Sequence, residues 1–578
     1  TSDPEQVAIH LLQVEPRSEQ RTVEILRAAA AEAAARGAPD AAAMFLQRAL
    51  GEPPEQGAVR AEVLVELGEA EARARLEGFE EHLSEAVTEF PDPERAAEIA
   101  LTLARALSAP GDGERAFGIV EAAIDTVDPC GPMGLLLEAE RLALAHAFGQ
   151  LRPRVAERVR NHLERLERGE PVDAVVHGAL APLLLRAHPP AERAIQAAET
   201  ALADERVTSQ PLNTFVLAHA GYTLLGAGHA ARAAEVFGSA IAAARRRGEL
   251  LTLGWASALR SDVFYHQGEI LKAEEDARVA WESALGEGMV LPSKPLALTV
   301  TAGVLVNALV ARGELDEAER ILESLPTPLP ERVEMLLPAR AELRLAQGRV
   351  EEAIADLHAT GMLLGEEFHK PVQNWRARLA VTLARRGEQE EARALAAAEL
   401  EQAQRWEVPQ AIAVALTASG LAEGGQAGIA LLEEAVAMLA DTEGRLDHAL
   451  ALIELGALQR RSGFPARARE PLRAGMDLAS RCGASLHADR AHAELVAAGG
   501  RPRRDRRFLT GPESLTAGEL RVAALAAEGL TDRAIAQRLY VTQAAVQFHL
   551  RNTFRKLDIR ARSELATHLG PSVVGTKP

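Results

Sequence analysis

Apolar and polar positions along most of this chain follow a helical period, from about residue 21 to residue 498. Brief turns containing Gly, Pro or Asp separate one helical segment from the next. Ala, Leu, Glu and Arg are abundant, whereas aromatic residues make up only 3% of the chain. Residues that favour helices therefore dominate, and no block of strand-forming residues competes with them. The pattern predicts an all-α protein, and 578 residues are too many for one core, so we expect several domains or a repeat array.

A glycine in a turn, followed five residues later by an alanine in the next helix, recurs through this region. Successive glycines from Gly228 onward are 40, 45, 35, 39, 38 and 38 residues apart, which indicates a repeated helix pair. We expect each glycine to end the first helix in the left-handed conformation, and each alanine to let the second helix approach closely. The pairs are Gly37/Ala42, Gly111/Ala116, Gly228/Ala233, Gly268/Ala273, Gly313/Ala318, Gly348/Ala353, Gly387/Ala392, Gly425/Ala430 and Gly463/Ala468.

The first of these pairs carries a resemblance. Ala42, Leu46, Ala49 and Pro54 have the offsets of the second helix of a tetratricopeptide (TPR) repeat. The intervals are longer than those of TPR proteins, and the Trp and Tyr of the first helix are mostly missing. The resemblance implies a TPR-like solenoid over residues 21–498, although no register can be assigned between residues 79 and 203.

Two functions fit such a solenoid. It can be a scaffold that buries its own apolar faces, or it can sense a signal or dock a partner, which would be a small-molecule or protein effector. Four aromatic residues lie close together in the sequence and either line a pocket or belong to the core, and we favour the core. They are Trp255, Phe264, Tyr265 and Trp281.

Three short helices are predicted near the C-terminus, each opened by a threonine in the N-cap position. The caps are Thr516, Thr531 and Thr542, and Glu519 completes a capping box with the first of them. Gly529 ends the first helix. A tight turn at residues 540–542 leads into the third and longest helix, and this outline is typical of a helix-turn-helix DNA-binding domain.

The third helix has two distinct faces. The apolar stripe is expected to face the core, while the polar stripe faces outward with Phe548 and Asn552 beside it. Glutamine and arginine can pair with base edges in the major groove, and an aromatic ring can touch a thymine methyl group. The exposed Phe548 argues against a polar face that only keeps the helix in solution. The apolar stripe is Val546, Leu550, Phe554 and Leu557, and the polar stripe is Gln543, Gln547, Arg551 and Arg555.

This C-terminal segment resembles the LuxR (GerE-type) helix-turn-helix domain. Two positions depart from the family pattern, Ala534 in place of an acid and Thr542 in place of a serine. The residues that carry the resemblance are Leu515, Thr516, Glu519, Val522, Leu525, Gly529, Thr531, Ile535, Ala536, Leu539, Val541, Val546, His549, Lys556, Leu557, Arg562 and Leu565.

The resemblance assigns roles to individual residues. It implies base contacts by Gln547, Phe548 and Arg551, and Gln543 lies on the same stripe. It also implies that a final helix at residues 562–569 joins two domains as a homodimer on double-stranded operator DNA, and that the regulator works with RNA polymerase. Helix N-termini and cationic side chains hold phosphate oxygens, so the predicted phosphate contacts are Thr531, Thr542, Arg555 and Lys556.

Charge is distributed unevenly along the chain. Residues 501–578 contain 14 basic and 7 acidic side chains, a net charge of +7, which leaves −26 for the rest of a chain whose net charge is −19. This division predicts that only the C-terminal segment meets DNA phosphates. The arginine-rich stretch around residues 501–507 is predicted to be a basic flexible linker that adds attraction without specificity.

The sequence lacks the signals of several other classes. No phosphate-binding loop, metal-binding cluster or catalytic motif is found, so no enzyme, metal or cofactor is predicted. Repeats followed by a LuxR-type domain resemble the C-terminal part of large ATP-binding, MalT-like regulators, so ATP would be relevant only if an ATPase domain precedes Thr1. No apolar run is long enough to span a membrane, and the two distant cysteines favour a cytoplasmic location.

The predicted domains are an N-terminal segment (1–20) that is compatible with the remnant of a preceding domain, TPR-like repeats (21–498), the basic linker (499–513), the DNA-binding domain (514–570) and a disordered tail (571–578). We expect a sequence-specific transcriptional regulator whose repeat array controls the DNA-binding domain. The alternative is a TPR scaffold for protein–protein interaction with a non-specific or vestigial terminal domain.

Overall fold

The structure is a computed structural model of the 578-residue chain. It describes residues 4–569 except residues 18, 53–57, 75, 109–111, 188–189, 209–214, 287–293, 328, 330–332, 334, 365–371, 373, 501–514, 540 and 558. Within those residues it contains helices and no strand, which confirms the all-α prediction.

Residues 4–497 form a long array of helices, hereafter the array. Consecutive helices pack against each other as antiparallel pairs, and each pair stacks on the next. The helices are α1 (Pro4–Leu11), α2 (Gln20–Ala35), α3 (Pro39–Gly51), α4 (Ala58–Ala74), α5 (Phe79–Glu89), α6 (Pro93–Ser108), α7 (Gly113–Ile124), α8 (Pro132–Ala147), α9 (Arg152–Glu167), α10 (Ala174–Ala187), α11 (Glu192–Leu202), α12 (Glu205–Thr208), α13 (Phe215–Gly226), α14 (Ala230–Arg247), α15 (Leu250–His266), α16 (Ile270–Leu285), α17 (Lys294–Arg312), α18 (Leu315–Glu323), α19 (Leu336–Ala346), α20 (Val350–Leu364), α21 (Trp375–Arg386), α22 (Gln389–Trp406), α23 (Pro409–Glu423), α24 (Gly425–Leu439), α25 (Arg445–Arg461), α26 (Pro465–Cys482) and α27 (Ser485–Ala497), with a 3₁₀ turn at Gly149–Leu151 before α9.

The predicted glycine and alanine pattern is the basis of the helix pairs. Seven of the predicted turn glycines have φ between +74° and +96°, and the alanine five residues after each is at most 1% exposed. A left-handed residue reverses the chain at the end of the first helix, and the small alanine allows the second helix to pack closely. Gly111 lies outside the described residues. The seven glycines are Gly37, Gly228, Gly268, Gly313, Gly348, Gly387 and Gly463.

One predicted pair is displaced by a residue. Ala430 is exposed, so the pairing of Gly425 with Ala430 was wrong. Gly424 (φ +68°) ends helix α23, and Ile429, five residues later, is fully buried. Two consecutive glycines with positive φ stand at this turn, which made the register ambiguous in the sequence.

The stretch from residue 79 to residue 203, which had no assignable register, contains two such helix pairs, and between them α8 packs against α10 across α9. Helices α6 and α7 pack together, as do α10 and α11. The α6–α7 turn includes residues outside the description, and Asp112 caps α7 by accepting the backbone N–H of Arg115. A side chain can cap a helix as well as a left-handed glycine can, so the α6–α7 pair forms although the glycine signal in this stretch is weak.

The array coils so that distant helix pairs touch. Helix α25 contacts α15, ten helices earlier, and α27 contacts α17. At one such contact Arg445 donates from Nε to the carbonyl oxygen of Gln267 at 3.1 Å. At another, the turns of Gly37 and Gly248 meet so closely that a Cβ on Gly248 would lie 2.6 Å from the Cα of Gly37. Five helix pairs therefore make about one superhelical turn, and successive turns are in contact.

A buried carboxylate joins three helices of this coil. Glu454 on α25 is 4% exposed and accepts from Arg490 on α27 at 2.6 Å and from Arg385 on α21. Burial alone would raise the pKa of Glu454, but the charges and hydrogen bonds of the two arginines lower it to about 2. The carboxylate is thus held ionised between two cations.

The four aromatic residues noted in the sequence are part of the packing. Trp281 is buried in an apolar cluster, and Trp255 and Tyr265 pack against such clusters. Phe264 is half-buried and lies 5.5 Å from the guanidinium carbon of Arg260. These positions support the core interpretation.

The C-terminal residues form a separate small unit, hereafter the head. Its helices are α28 (Ala517–Ala527), α29 (Asp532–Leu539), α30 (Gln543–Leu557) and α31 (Leu565–Leu569), with a 3₁₀ turn at Arg562–Glu564. The predicted linker lies almost entirely, and the predicted tail entirely, outside the described residues. Across the described helices, none is both long enough and apolar enough to cross a lipid bilayer.

Candidate nucleic-acid interface

The first helix of the head begins with the predicted capping box. The backbone N–H of Glu519 donates to Thr516 Oγ1 at 3.2 Å, and the backbone N–H of Thr516 donates to Glu519 Oε2 at 2.7 Å. Two of the donors left free at a helix N-terminus are therefore satisfied together. At the other end, Gly529 has φ +88° and turns the chain into the next helix.

The two following helices are capped as predicted. Thr531 Oγ1 accepts the backbone N–H of Ala534 at 3.3 Å, and Thr542 Oγ1 accepts that of Ala545 at 3.1 Å. Each threonine is exposed. The three threonines therefore set the start of each helix, and residue 540 of the predicted turn lies outside the described residues.

The head has an apolar core of its own. Every buried member of this cluster comes from the head itself, which is the property of a unit that can fold by itself. The members are Val522, Ala523, Ala526, Ile535, Ala536, Val546, Leu550, Leu557, Ile559, Leu565 and Leu569.

Helix α30 has the two faces predicted from its sequence. Val546, Leu550 and Leu557 are buried, and Phe554 packs against them while half-exposed. The opposite stripe is exposed at every position, so a continuous line of amide and guanidinium groups is displayed. This stripe comprises Gln543, Gln547, Arg551 and Arg555.

Phe548 and His549 lie between these two faces. Phe548 is half-buried, and its ring meets the His549 ring edge-on, with 5.7 Å between centroids. His549 is 7% exposed, and burial lowers its pKa, so the imidazole is neutral at physiological pH. His549 is thus a packed histidine.

Lys556 is placed differently from the other predicted phosphate contacts. Its side chain is buried, and Nζ donates to Glu519 Oε2 at 2.6 Å. Burial also lowers the pKa of this ammonium group. The pair joins α30 to α28, so Lys556 would have to leave Glu519 in order to reach a phosphate.

Arg562 ties the last turn of the head to the second helix. Its guanidinium group donates to the carboxylate of Asp532 and to the carbonyl oxygen of Leu530. Leu530 ends the loop after α28, and Asp532 opens α29. The family position Arg562 therefore has a structural role, which the sequence alone did not indicate.

The head lies against helix α16 of the array and the turn before α18. Thr542 Oγ1 donates to Glu282 Oε2 at 2.7 Å. The guanidinium carbon of Arg278 lies 4.2 Å from the centroid of the Phe548 ring, and Arg555 Nη1 is 3.8 Å from Glu314 Oε1. The array thus contacts the side of the head that carries the recognition helix.

The first helix of the head meets a further carboxylate of the array. A Cβ on Gly518 would lie 2.0 Å from Glu275 Oε1, so a side chain at this position would force the Glu275 carboxylate to move. Glu275 Oε1 is also 3.8 Å from His549 Nε2. These array residues lie more than 200 positions before the head, and the opposite net charges of the two parts were their only signal in the sequence.

Comparison with known proteins places one family on the head. The family described as GerE, bacterial regulatory proteins, luxR family, matches residues 513–569. The comparison with curated proteins finds no match to this chain.

Solved structures with some similarity are helical proteins of low identity. The APC/C hetero-tetramer Cut9–Hcn1 is 13% identical with a TM-score of 0.37, covering 85% of this chain and 94% of that chain. A monomeric mutant of IFIT1 with m7Gppp-AAAA is 14% identical with a TM-score of 0.26, covering 86% and 94%. Yeast Tom70 is 14% identical with a TM-score of 0.24, covering 83% and 96%. TM-scores this low carry no inference about the partners of this chain.

The family match coincides with the helices, caps and core of the head, and stops where the described residues of the head stop. Residues 513–569 are therefore a LuxR-family helix-turn-helix domain, carried at the C-terminus of an all-helical, TPR-like repeat array.

Proposed function

We propose that this chain is a sequence-specific DNA-binding regulator of transcription whose helix α30 reads the major groove. The supporting observation is the exposed line of Gln543, Gln547, Arg551 and Arg555 opposite a buried apolar stripe. A helix in the major groove must present such groups to base edges while its other side holds the domain together. LuxR-type domains are a non-enzymatic family, and no catalytic role is assigned to this chain.

The base contacts in this proposal follow from side-chain chemistry. Arg551 would pair with guanine through its two donor nitrogens, and Gln547 and Gln543 with adenine through their amides. Phe548 would touch a thymine methyl group once its ring is free of Arg278. A good two-bond pair is worth about 1–3 kcal/mol of discrimination against a wrong base.

The phosphate contacts would fix the position of α30 on the duplex. Thr531 and Thr542 stand at the N-termini of α29 and α30, where backbone N–H groups attract anions. Arg555 supplies an exposed cation on α30. These groups carry orientation rather than sequence preference.

Partners follow from the same proposal. Residues 562–569 would join two heads into a homodimer on DNA, so that two half-sites lie about one helical turn apart. The array would receive a small-molecule or protein effector, and the DNA-bound dimer would act with RNA polymerase.

The head alone offers the direct test, because its core contains only its own residues. A fragment of residues 514–578 should select a preferred duplex from a random pool. Its affinity for that duplex should fall steeply with salt, as expected when cations neutralise phosphates. A selected duplex bound no better than random DNA at low salt would contradict the proposal and favour the alternative, a TPR scaffold with a vestigial terminal domain.

A further inference from the structure

Four carboxylates of the array form an acidic face beside the head, hereafter the acidic docking face. Glu275 and Glu282 belong to α16, Glu317 belongs to α18, and Glu314 precedes α18. Two of these carboxylates, Glu275 and Glu282, form few hydrogen bonds or ion pairs within the array. The described contacts of Glu282 and Glu275 are with Thr542, Gly518 and His549 of the head.

The acidic docking face uses groups that the proposed function assigns to DNA. Thr542, a proposed phosphate contact, donates its hydroxyl to the Glu282 carboxylate. Arg555, another proposed phosphate contact, faces the Glu314 carboxylate. In both cases the group proposed to contact phosphate faces a carboxylate of the array instead.

Arg551 also interacts electrostatically with the acidic docking face, through Glu317. Burial would raise the pKa of Glu317, but the hydrogen bond and charge of Arg278 and the charge of Arg551 lower it. The proposed guanine reader is therefore attracted to the array in the absence of DNA.

The Phe548 ring cannot contact the array and DNA through the same face. The guanidinium group of Arg278 is stacked over the ring at 4.2 Å and is itself held by Glu274 and Glu317. Cation–π stacking of this kind is strongest where water is excluded. A thymine methyl group and Arg278 cannot occupy the same face of this ring.

Charge makes the match general. Residues 515–569 contain 8 basic and 5 acidic side chains, a net charge of +3, and residues 1–500 have a net charge of −26, so the array attracts the head electrostatically. Gln543 and Gln547 remain exposed. Arg551 and Arg555 are exposed as well. Competition with DNA therefore rests on the groups of the head that the array contacts, which are the Thr542 hydroxyl, the Phe548 ring and the Arg555 guanidinium group.

We infer that the acidic docking face is an internal substitute for DNA, which binds the recognition face of the head and competes with the duplex for it. The inference rests on the proposed function. The docked head does not bind DNA. The apparent affinity of the full chain is therefore the affinity of the free head multiplied by the fraction of molecules in which the head is undocked. An effector that separates the head from α16 and α18 would raise DNA affinity without touching the head.

The experiment weakens the acidic docking face from the array side and leaves every DNA-contacting residue intact. The docking variant is the full chain with Glu282→Ala and Glu314→Ala. The matched control is the full chain with Glu351→Ala and Glu401→Ala, two exposed helical glutamates that each pair with an exposed arginine. Both variants lose two carboxylates, so they share the same net charge.

Two measurements are made on wild type, docking variant and control. Hydrogen exchange of residues 543–557 and of α16 reports docking without any DNA. Fluorescence anisotropy with a short random-sequence duplex at low salt reports DNA binding. We expect faster exchange in both segments and about tenfold tighter duplex binding for the docking variant, and wild-type behaviour for the control.

The outcomes separate the inference from the function on which it rests. Unchanged exchange in the docking variant would overturn the docking contact. Faster exchange with unchanged duplex affinity, while the 514–578 fragment binds the duplex, would overturn the competition. If exchange rises but the fragment binds no duplex, the proposed function fails and the competition with DNA fails with it.

Discussion

The Arg278 guanidinium carbon on the array lies 4.2 Å from the centroid of the Phe548 ring on helix α30. The two residues are 270 positions apart, and their contact joins the longest helix of the head to a helix in the middle of the array. The same guanidinium group is fixed by Glu274 and Glu317, so the ring meets a cation whose position is already determined. The inferred docking contact and the proposed DNA contact therefore use the same aromatic side chain.

Base reading can be tested within the head. In the 514–578 fragment, Arg551→Ala and Gln547→Ala should each relax preference at one base pair and cost about 1–3 kcal/mol there. Competition binding against duplexes with single base changes measures this. An exposed arginine of α29, Arg538, provides the comparison, and equal losses on all duplexes would show that Arg551 and Gln547 contact only phosphate.

Lys556 has a structural and a DNA-binding interpretation, and one variant separates them. Lys556→Met would leave the Glu519 carboxylate buried without its ammonium partner, and breaking a buried pair costs about 3–5 kcal/mol. We therefore expect a clear loss of head stability in urea unfolding. If stability is instead unchanged and the slope of log affinity against log salt falls by about one, Lys556 contacts phosphate.

Docking should depend on pH through Glu275. Burial raises the pKa of Glu275 to about 7, and its neighbour Asp276 adds to the rise, whereas an exposed glutamate titrates near 4.5. Docking therefore favours the protonated form of Glu275, and this contribution is complete below about pH 4.5 and is lost as the pH rises through about 7. The charge attraction of the acidic docking face comes from its other members, Glu282, Glu314 and Glu317. The titratable groups that face Glu275 are Asp276, Glu519, Arg521, Arg260 and His549.

DNA affinity of the full chain should thus increase between pH 6 and pH 8 by about threefold to tenfold. His549 acts in the opposite direction because its pKa is lowered. Its neutral form favours docking when the pH is above the ordinary pKa of histidine, and protonation opposes docking when the pH is lower. Glu275→Gln stays neutral, so this variant should remain docked at pH 8 and bind duplex more weakly than wild type. The 514–578 fragment supplies the pH dependence of DNA binding itself, and a full chain that follows the fragment at every pH would contradict the prediction.

Glu454 should stabilise the array at neutral pH and lose this contribution in acid. Its pKa is lowered to about 2 by the two arginines despite its burial, so its stabilising contribution is complete above about pH 4.5 and is lost as the pH falls toward 2. Glu454→Gln should lower the melting temperature at pH 7, because Arg385 and Arg490 lose their shared counter-charge. The difference from wild type should shrink below pH 4. Glu401→Gln, from an exposed pair with Arg405, should melt as wild type at both pH values.

Contact between superhelical turns can be isolated with two glycine variants. Gly248→Ala and Gly348→Ala both place a side chain at positive φ, +68° and +78°, which costs about 1 kcal/mol. At Gly348 the new Cβ meets open space, whereas at Gly248 it would lie 2.5 Å from the carbonyl oxygen of Gly37. We therefore expect Gly248→Ala to destabilise the array clearly more in thermal unfolding. Equal effects would show that the Gly37 contact contributes nothing.

Local patterns carried most of the fold. The threonine caps, the stripes of α30 and the turn glycines depend on residues within a few positions of each other, and all three followed from spacing. The register failed at Gly424, because two adjacent glycines gave the same local signal. The buried state of Lys556 depends on Glu519, 37 positions away, and no helical period reports a partner at that distance.

The contact between the head and the array could not be predicted from the sequence. Glu282 and Thr542 are 260 positions apart, and their meeting depends on the coil of the whole array. The uneven charge of the chain indicated attraction between head and array, but not which carboxylates would meet which side chains. Residue-level placement of this contact therefore required the three-dimensional structure.

The coil of the array has a mechanical consequence. In an open solenoid each repeat touches only its neighbours, so unfolding can begin anywhere and spread. Here Arg445 contacts Gln267, and the turn of Gly248 contacts that of Gly37, so each turn is braced by the next. When force is applied to its two ends, contacts between successive superhelical turns should resist extension. The array should then unfold in large steps, each of about one superhelical turn. Helix α16 lies inside that braced coil, which makes the surface that holds the head a stiff one.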